Sequence, residues 1–123
     1  MTGTTTLARG FIVALALVAA SGAAAFEGRY VAGSKRYAQD LVVAKRADGR
    51  FGVKAEVATS GCMGEFEGVG ALAGDALVAE AKFENETCAL TLRRTKKGVS
   101  VEEDHCLPFH GAACEFSGAY RKR

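Results

Sequence analysis

In the middle of the chain, Phe51, Val53, Ala55, Val57 and Thr59 share one side of the sequence, while Lys54 and Glu56 share the other. A period of two marks a half-buried β-strand. Tyr37, Leu41 and Val43 form a similar stripe just before it. Between the two stripes lies Ala47-Asp48-Gly49-Arg50, whose Asp-Gly supplies the positive φ of a tight hairpin turn. A second hairpin is expected from Cys62 to Phe83 around Ala73-Gly74-Asp75-Ala76. With Gly74-Asp75 as a two-residue turn, Leu72 faces Leu77 and Phe66 faces Phe83, all on one face. Gly64, Gly68 and Gly70 lie on that face too, where they either make room for bulky side chains or let the sheet coil sharply. Cys88, Leu90 and Leu92 start another strand, Lys96-Lys97-Gly98 turns it, and Val99 and Val101 return. The pattern contains no long amphipathic helix.

These elements predict an all-β fold: a small antiparallel meander of about 7–8 strands, closing into a barrel or sandwich. An open meander would expose two edge strands, and closure removes both. A repeated pattern points the same way. Phe26-Glu27-Gly28-Arg29-Tyr30 and Phe116-Ser117-Gly118-Ala119-Tyr120 share the skeleton Phe-x-Gly-x-Tyr. If the first and last strands meet at a seam, the two copies are expected to interlock there, aromatic against glycine.

The start of the chain changes the picture of where the domain works. Met1 to Arg9 is polar with one basic residue, "FIVALALVAA" follows at 11–20, and Ala23 and Ala25 form an A-x-A cleavage site. That is the layout of a secretory signal peptide over residues 1–25. The apolar run falls short of the roughly 20 residues that a membrane-spanning helix needs. Removing residues 1–25 from the 123-residue chain leaves 98, enough for a single β domain at 26–123 in the periplasm or outside the cell. Arg9 leaves with the leader, so 15 basic residues balance 14 acidic ones, which argues against a nucleic-acid partner.

Four cysteines, Cys62, Cys88, Cys106 and Cys114, lie in that domain, and an even count in a small exported protein reads as two disulfides. Extrapolating the second hairpin puts Cys62 opposite position 87, which favours Cys62–Cys88. Cys106–Cys114 would then staple the loop "LPFHGAA". A competing register brings Cys88 to Cys106 and leaves Cys62 with Cys114. The segment "HCLPFHGAAC" offers His105, Cys106, His110 and Cys114 as an alternative tetrahedral zinc set. Its spacing matches no familiar finger and the compartment favours oxidised sulfur, so no metal or cofactor is assigned.

Catalytic chemistry finds little support. Glu65 and Glu67 share a strand face, as an acid–base pair would, but they alternate with the inward positions and are expected in solvent. Glu102-Glu103-Asp104 reads as a solvated strand end, and Asn85-Glu86-Thr87 as an accidental match to a glycosylation acceptor. The surface singled out is the loop Leu107 to Ala113, presenting Phe109 and His110, with Phe109 alternatively plugging the barrel mouth.

The leader, the β meander, the four cysteines and the terminal Cys114-x-Phe116-x-Gly118-x-Tyr120 together resemble small exported bacterial β domains stabilised by disulfides. Among these, Ser117-Gly118-Ala119-Tyr120 is similar to the Ser-Gly…Tyr loop of periplasmic lysozyme inhibitors, compact barrels that insert a loop into an enzyme cleft. The resemblance implies a non-enzymatic domain acting through contact with another exported protein. The chain departs from that family in having no tryptophan and in placing the stretch at its end, so no inhibitory residue is carried over. A small-ligand carrier using the barrel interior is the alternative.

Overall fold

A computed structural model describes residues 25–123; the expected signal peptide lies, but for Ala25, outside the described residues. Eight antiparallel strands follow one another around a closed barrel. They are β1 (Gly28–Gly33), β2 (Tyr37–Lys45), β3 (Phe51–Thr59), β4 (Met63–Ala73), β5 (Ala76–Phe83), β6 (Glu86–Arg94), β7 (Gly98–Asp104) and β8 (Gly118–Lys122), and a short helix, α1 (Leu107–His110), precedes β8. The all-β meander is therefore a barrel, not a sandwich. Its upper end carries the turns after β1, β3 and β5 and the segment 105–117; its lower end carries the turns after β2, β4 and β6.

Alternation decides what lies inside. Leu41 and Val43 of β2, Phe51, Val53, Ala55 and Val57 of β3, Phe66 of β4, Leu77 and Ala79 of β5, Leu90 and Leu92 of β6, and Val99 and Val101 of β7 are all buried in one core. The turn chemistry is as the sequence implies. Gly49 has φ of 87° and Gly74 has φ of 64°, values that an L side chain rarely adopts. Arg50 donates its backbone N–H to Asp48 Oδ1 at 3.0 Å in the first of these turns. That bond, ahead of the nearby Arg46 and Arg50 guanidinium groups, holds the Asp48 carboxyl below its ordinary pKa.

The Gly74-Asp75 hairpin has the expected register, Leu72 opposite Leu77, but the ladder between β4 and β5 stops at Val69 opposite Glu80. Above that rung the strands part. Leu72 at the lower rim is 45% exposed and Phe83 at the upper rim 52%, so the shared face runs past both ends of the core. The inner-face glycines make close approaches possible. A Cβ on Gly68 would collide with the Glu80 carbonyl where the strands diverge, and one on Gly64 would collide with His110.

The seam joins β1 to β8 through Tyr30 opposite Lys122 and Val31 opposite Arg121. Closure is as expected, yet the two Phe-x-Gly-x-Tyr copies do not interlock across it. Because β1 and β8 are antiparallel and barely overlap, Gly28 faces the stem of Lys122, and Gly118 faces Gln39 and the ring of its own Tyr120. Each copy closes a different end of the barrel. Phe26 folds over the lower end and Phe116 over the upper, both buried, and each following tyrosine points inward and bonds back. Tyr30 donates to the Phe26 carbonyl at 2.9 Å, and Tyr120 to the Phe116 carbonyl at 2.7 Å.

The bridges are Cys62–Cys114 and Cys88–Cys106, which corrects the favoured pairing of Cys62 with Cys88 and Cys106 with Cys114. The reason is register. With β4 and β5 parted above Val69, the hairpin no longer leads from Cys62 towards Cys88. The β6–β7 ladder instead sets Ala89 against Asp104, leaving Cys88 and Cys106 side by side with Cα atoms 4.5 Å apart. Two disulfides suggest a non-cytoplasmic environment. Among the described residues, no helix is long and apolar enough to cross a membrane.

Candidate functional site

The upper end holds most of the polar and exposed apolar chemistry. Its centre is a contact between His110 and Glu103, a residue expected at a solvated strand end. Val99, Val101 and Glu103 share one face of β7, so Glu103 points into the barrel mouth rather than outwards. There its Oε2 lies 2.7 Å from His110 Nε2, with the two side chains 15% and 4% exposed. His110 Nδ1 meets the Gly111 carbonyl oxygen. Both ring nitrogens thus face an oxygen of the protein. Glu103 Oε1 also accepts the Phe116 N–H at 2.6 Å, and Ser117 Oγ accepts the Glu103 N–H at 3.1 Å. Nearly every polar atom of the pair is thus occupied within the protein. The period-two stripe through Val99 and Val101 was the signal that could have found it.

The segment 105–117 is tied down on its other sides too. Gln39, buried on β2, donates from Nε2 to the carbonyls of Glu115 at 3.0 Å and Ser117 at 2.9 Å. It bridges the wedge that the short β1–β8 ladder leaves open. Tyr37 Oη accepts the Glu115 N–H at 2.7 Å. Burial, reinforced by Asp40, Glu103 and Glu115 nearby, pushes the Tyr120 phenol far above its ordinary pKa. Burial also raises that of Tyr30, against a smaller opposing effect of Arg94.

The loop singled out from the sequence divides its side chains. His110 turns inward, whereas Leu107 and Pro108 are exposed. Phe109 is half-buried: it plugs the gap where β4 and β5 part, its ring centre 6.2 Å from that of Phe66 and 6.1 Å from that of Phe83. The alternative of a plug is therefore what Phe109 adopts, with one side left open. Met63 at 79% exposure and Phe83 at 52% line the same cleft as Phe109. This cleft, of about 550 Å³, reaches from Phe83, Pro108 and Phe109 across the outer faces of β4, β3 and β2. Glu65 and Glu67 are exposed on its wall, as expected, with Glu56 and Asp40 beyond.

The zinc alternative loses its thiolates, since Cys106 and Cys114 are each held in a disulfide with another partner. His105 is exposed and contacts Asp104 at 3.0 Å. Ser117-Gly118-Ala119-Tyr120, the stretch behind the inhibitor resemblance, leads into β8, with Tyr120 buried and Ser117 engaged by Glu103. Comparison of the chain with protein-family models, curated proteins and solved structures finds no match.

Proposed function

We propose that the protein is a small exported, non-enzymatic binding domain that works through protein contact at the upper end of the barrel. One observation carries the reading. Met63 and Phe83 come from two separate strands, yet both are exposed and line one cleft with Pro108 and Phe109 of a third segment. A domain with a good core has no structural need to hold such a group in water, and clusters of this kind mark contact surfaces. The barrel interior supports the same reading over a carrier, because its inward positions are filled with packed side chains. The buried Glu103–His110 pair, the group best shaped for acid–base work, is engaged with Gly111 and Phe116 and lies beneath the plug. An inhibitor-like role is the specific form of this reading in which the contacted protein is an exported enzyme.

The test is capture from the envelope and medium of the producing cell, comparing the protein with a Met63→Asp/Phe83→Asp variant. The reading expects a discrete partner that the variant loses while keeping its melting temperature. Identical capture by both forms would remove the apolar cluster from the function. A saturable thermal shift with small apolar ligands, unaffected by the variant, would favour the carrier instead.

A further inference from the structure

Beside the apolar cluster lies a strand edge without a strand. Between β3 and β4 the turn closes with the Thr59 N–H donating to the Cys62 carbonyl at 2.8 Å. Hydrogen-bonded and non-bonded pairs alternate from there, so Gly64, Phe66 and Gly68 bond to β3. The N–H and C=O groups of Met63, Glu65 and Glu67 consequently point the other way, towards β5. On β5 the same alternation, counted from the Ala73–Ala76 closing pair, turns those of Lys82 towards β4. The β4–β5 ladder ends at Val69 opposite Glu80, short of all four. The β4–β5 ladder pairs none of the four across this gap. A row of free donors and acceptors on a rigid strand is a template for another extended segment.

The sides of the slot differ in chemistry. Its inner floor is apolar, made by Phe66, Phe109 and Phe83. Its outer wall bears Glu65 and Glu67, and the β3 and β2 positions in line with Glu65 are Glu56 and Asp40. Lys54, opposite Glu67, already lies 3.6 Å from Glu56 Oε1, and Lys82 stands on the far rim. A strand alternates its side chains between faces, so an occupant must offer apolar residues to the floor and meet an acidic wall. A second copy paired edge to edge would set Glu65 and Glu67 against the same residues, a like-charge arrangement that sheets disfavour.

We propose that the free edge of β4 at Met63, Glu65 and Glu67 receives an extended segment of a partner protein in which basic residues alternate with apolar ones. This rests on the reading of the upper end as a protein-contact surface and names what that surface takes. The partner's main chain bonds to β4, its apolar side chains cover Phe109 and Phe83, and its Lys or Arg side chains reach Glu65 and Glu67.

The test uses the isotope-labelled protein and a synthetic nine-residue peptide alternating Lys with Val and Phe. Expected are saturable binding, slowed hydrogen exchange at the amides of Met63, Glu65, Glu67 and Lys82, and at least tenfold weaker binding of the same peptide N-methylated at alternate residues. The Glu65→Lys/Glu67→Lys variant should lose binding at least tenfold while still unfolding in a single cooperative transition. Slot amides already protected in the free protein, equal affinity for a Glu-alternating peptide, or dimers whose amide protection maps to β4 would each overturn the proposal. Capture that depends on Met63 and Phe83 but leaves the slot amides exchanging freely would also overturn it, while leaving the contact reading standing.

Discussion

Tyr120 donates its hydroxyl proton to the main-chain carbonyl of Phe116, four residues earlier, at 2.7 Å, and Tyr30 repeats the arrangement with Phe26 at 2.9 Å. The glycine between each pair has a strongly positive φ, 142° at Gly28 and 159° at Gly118. That conformation lets the chain fold its phenylalanine over the barrel end before the strand begins. The repeated motif is thus a lid with its own latch, used once at each end.

Removing a latch leaves a buried carbonyl without its donor. Tyr120→Phe and Tyr30→Phe should each cost about 1–2 kcal/mol, a fall in Tm of about 4–8 °C per kcal/mol for a domain of this size. The phenols also set an alkaline limit. Both folded-state pKa values are raised by burial, so the native state holds protons that the unfolded chain releases from about pH 10 upward. Stability from this source is complete below pH 10 and declines as pH rises towards the folded-state values. Phenolate absorbance at 295 nm should therefore appear together with loss of near-ultraviolet dichroism, and each Tyr→Phe change should shrink that joint transition. A phenolate signal from these residues in a still-folded barrel would contradict the latch.

The two bridges should differ in weight. Cys62–Cys114 spans 52 residues of sequence and Cys88–Cys106 spans 18. Loop-closure entropy assigns about 4 kcal/mol to the first and about 3 kcal/mol to the second. Non-reducing peptide mapping should recover these two linkages. Denaturant unfolding of Cys62→Ala/Cys114→Ala should show the larger loss. Mapping that returns Cys62–Cys88 would mean that β4 and β5 stay paired to the upper rim, and the slot would vanish with it.

How far the sequence reached follows from which contacts are local. Period-two stripes and the Asp-Gly, Gly-Asp and Lys-Gly turns carried the strands and the meander, because each depends on neighbours along the chain. Closure followed from the need to remove two edge strands, whereas the twin Phe-x-Gly-x-Tyr motif pointed to it for the wrong reason: β1 and β8 overlap too little for its copies to meet, and they cap opposite ends instead. The pairing of cysteines was not legible, since it hinged on where the β4–β5 ladder stops, a point set by packing around Gly68 and Phe109. For the same reason Met63, the most exposed large apolar residue among the described residues, drew no notice in the sequence. Glu103 was masked by its acidic neighbours Glu102 and Asp104, although its place in the Val99–Val101 stripe marked it as inward.

The Glu103–His110 pair should behave as one unit. Glu103→Ala strands His110 in the plug and removes the acceptor for the Phe116 N–H, and His110→Ala leaves a carboxylate in the mouth. Breaking a buried pair from one side costs about 3–5 kcal/mol, and the small exposure of Glu103 puts the expected loss at about 3 kcal/mol for either change. In a double-mutant cycle the two losses should fall well short of additivity, with a coupling of about 1 kcal/mol or more. Additive losses would show that the carboxylate acts on Phe116 alone.

The row Asp40–Glu56–Glu65 is the place where stability and contact should trade against each other. The three residues stand directly opposite one another across β2, β3 and β4, and like charges at such positions destabilise a sheet. Lys54 offsets this only in part, because its 3.6 Å approach to Glu56 is between exposed groups. Glu56→Gln removes the middle charge and both repulsive pairs at once, at the cost of that weak ion pair. The expected result is a gain of about 0.5 kcal/mol in urea unfolding at low salt. Added salt should raise the stability of the wild type more than that of the variant, since screening does to one what the mutation has already done to the other. The same change should weaken binding of the Lys-alternating peptide by a few-fold. A variant that gains stability without losing affinity would show that the row repels within the sheet but takes no part in the contact.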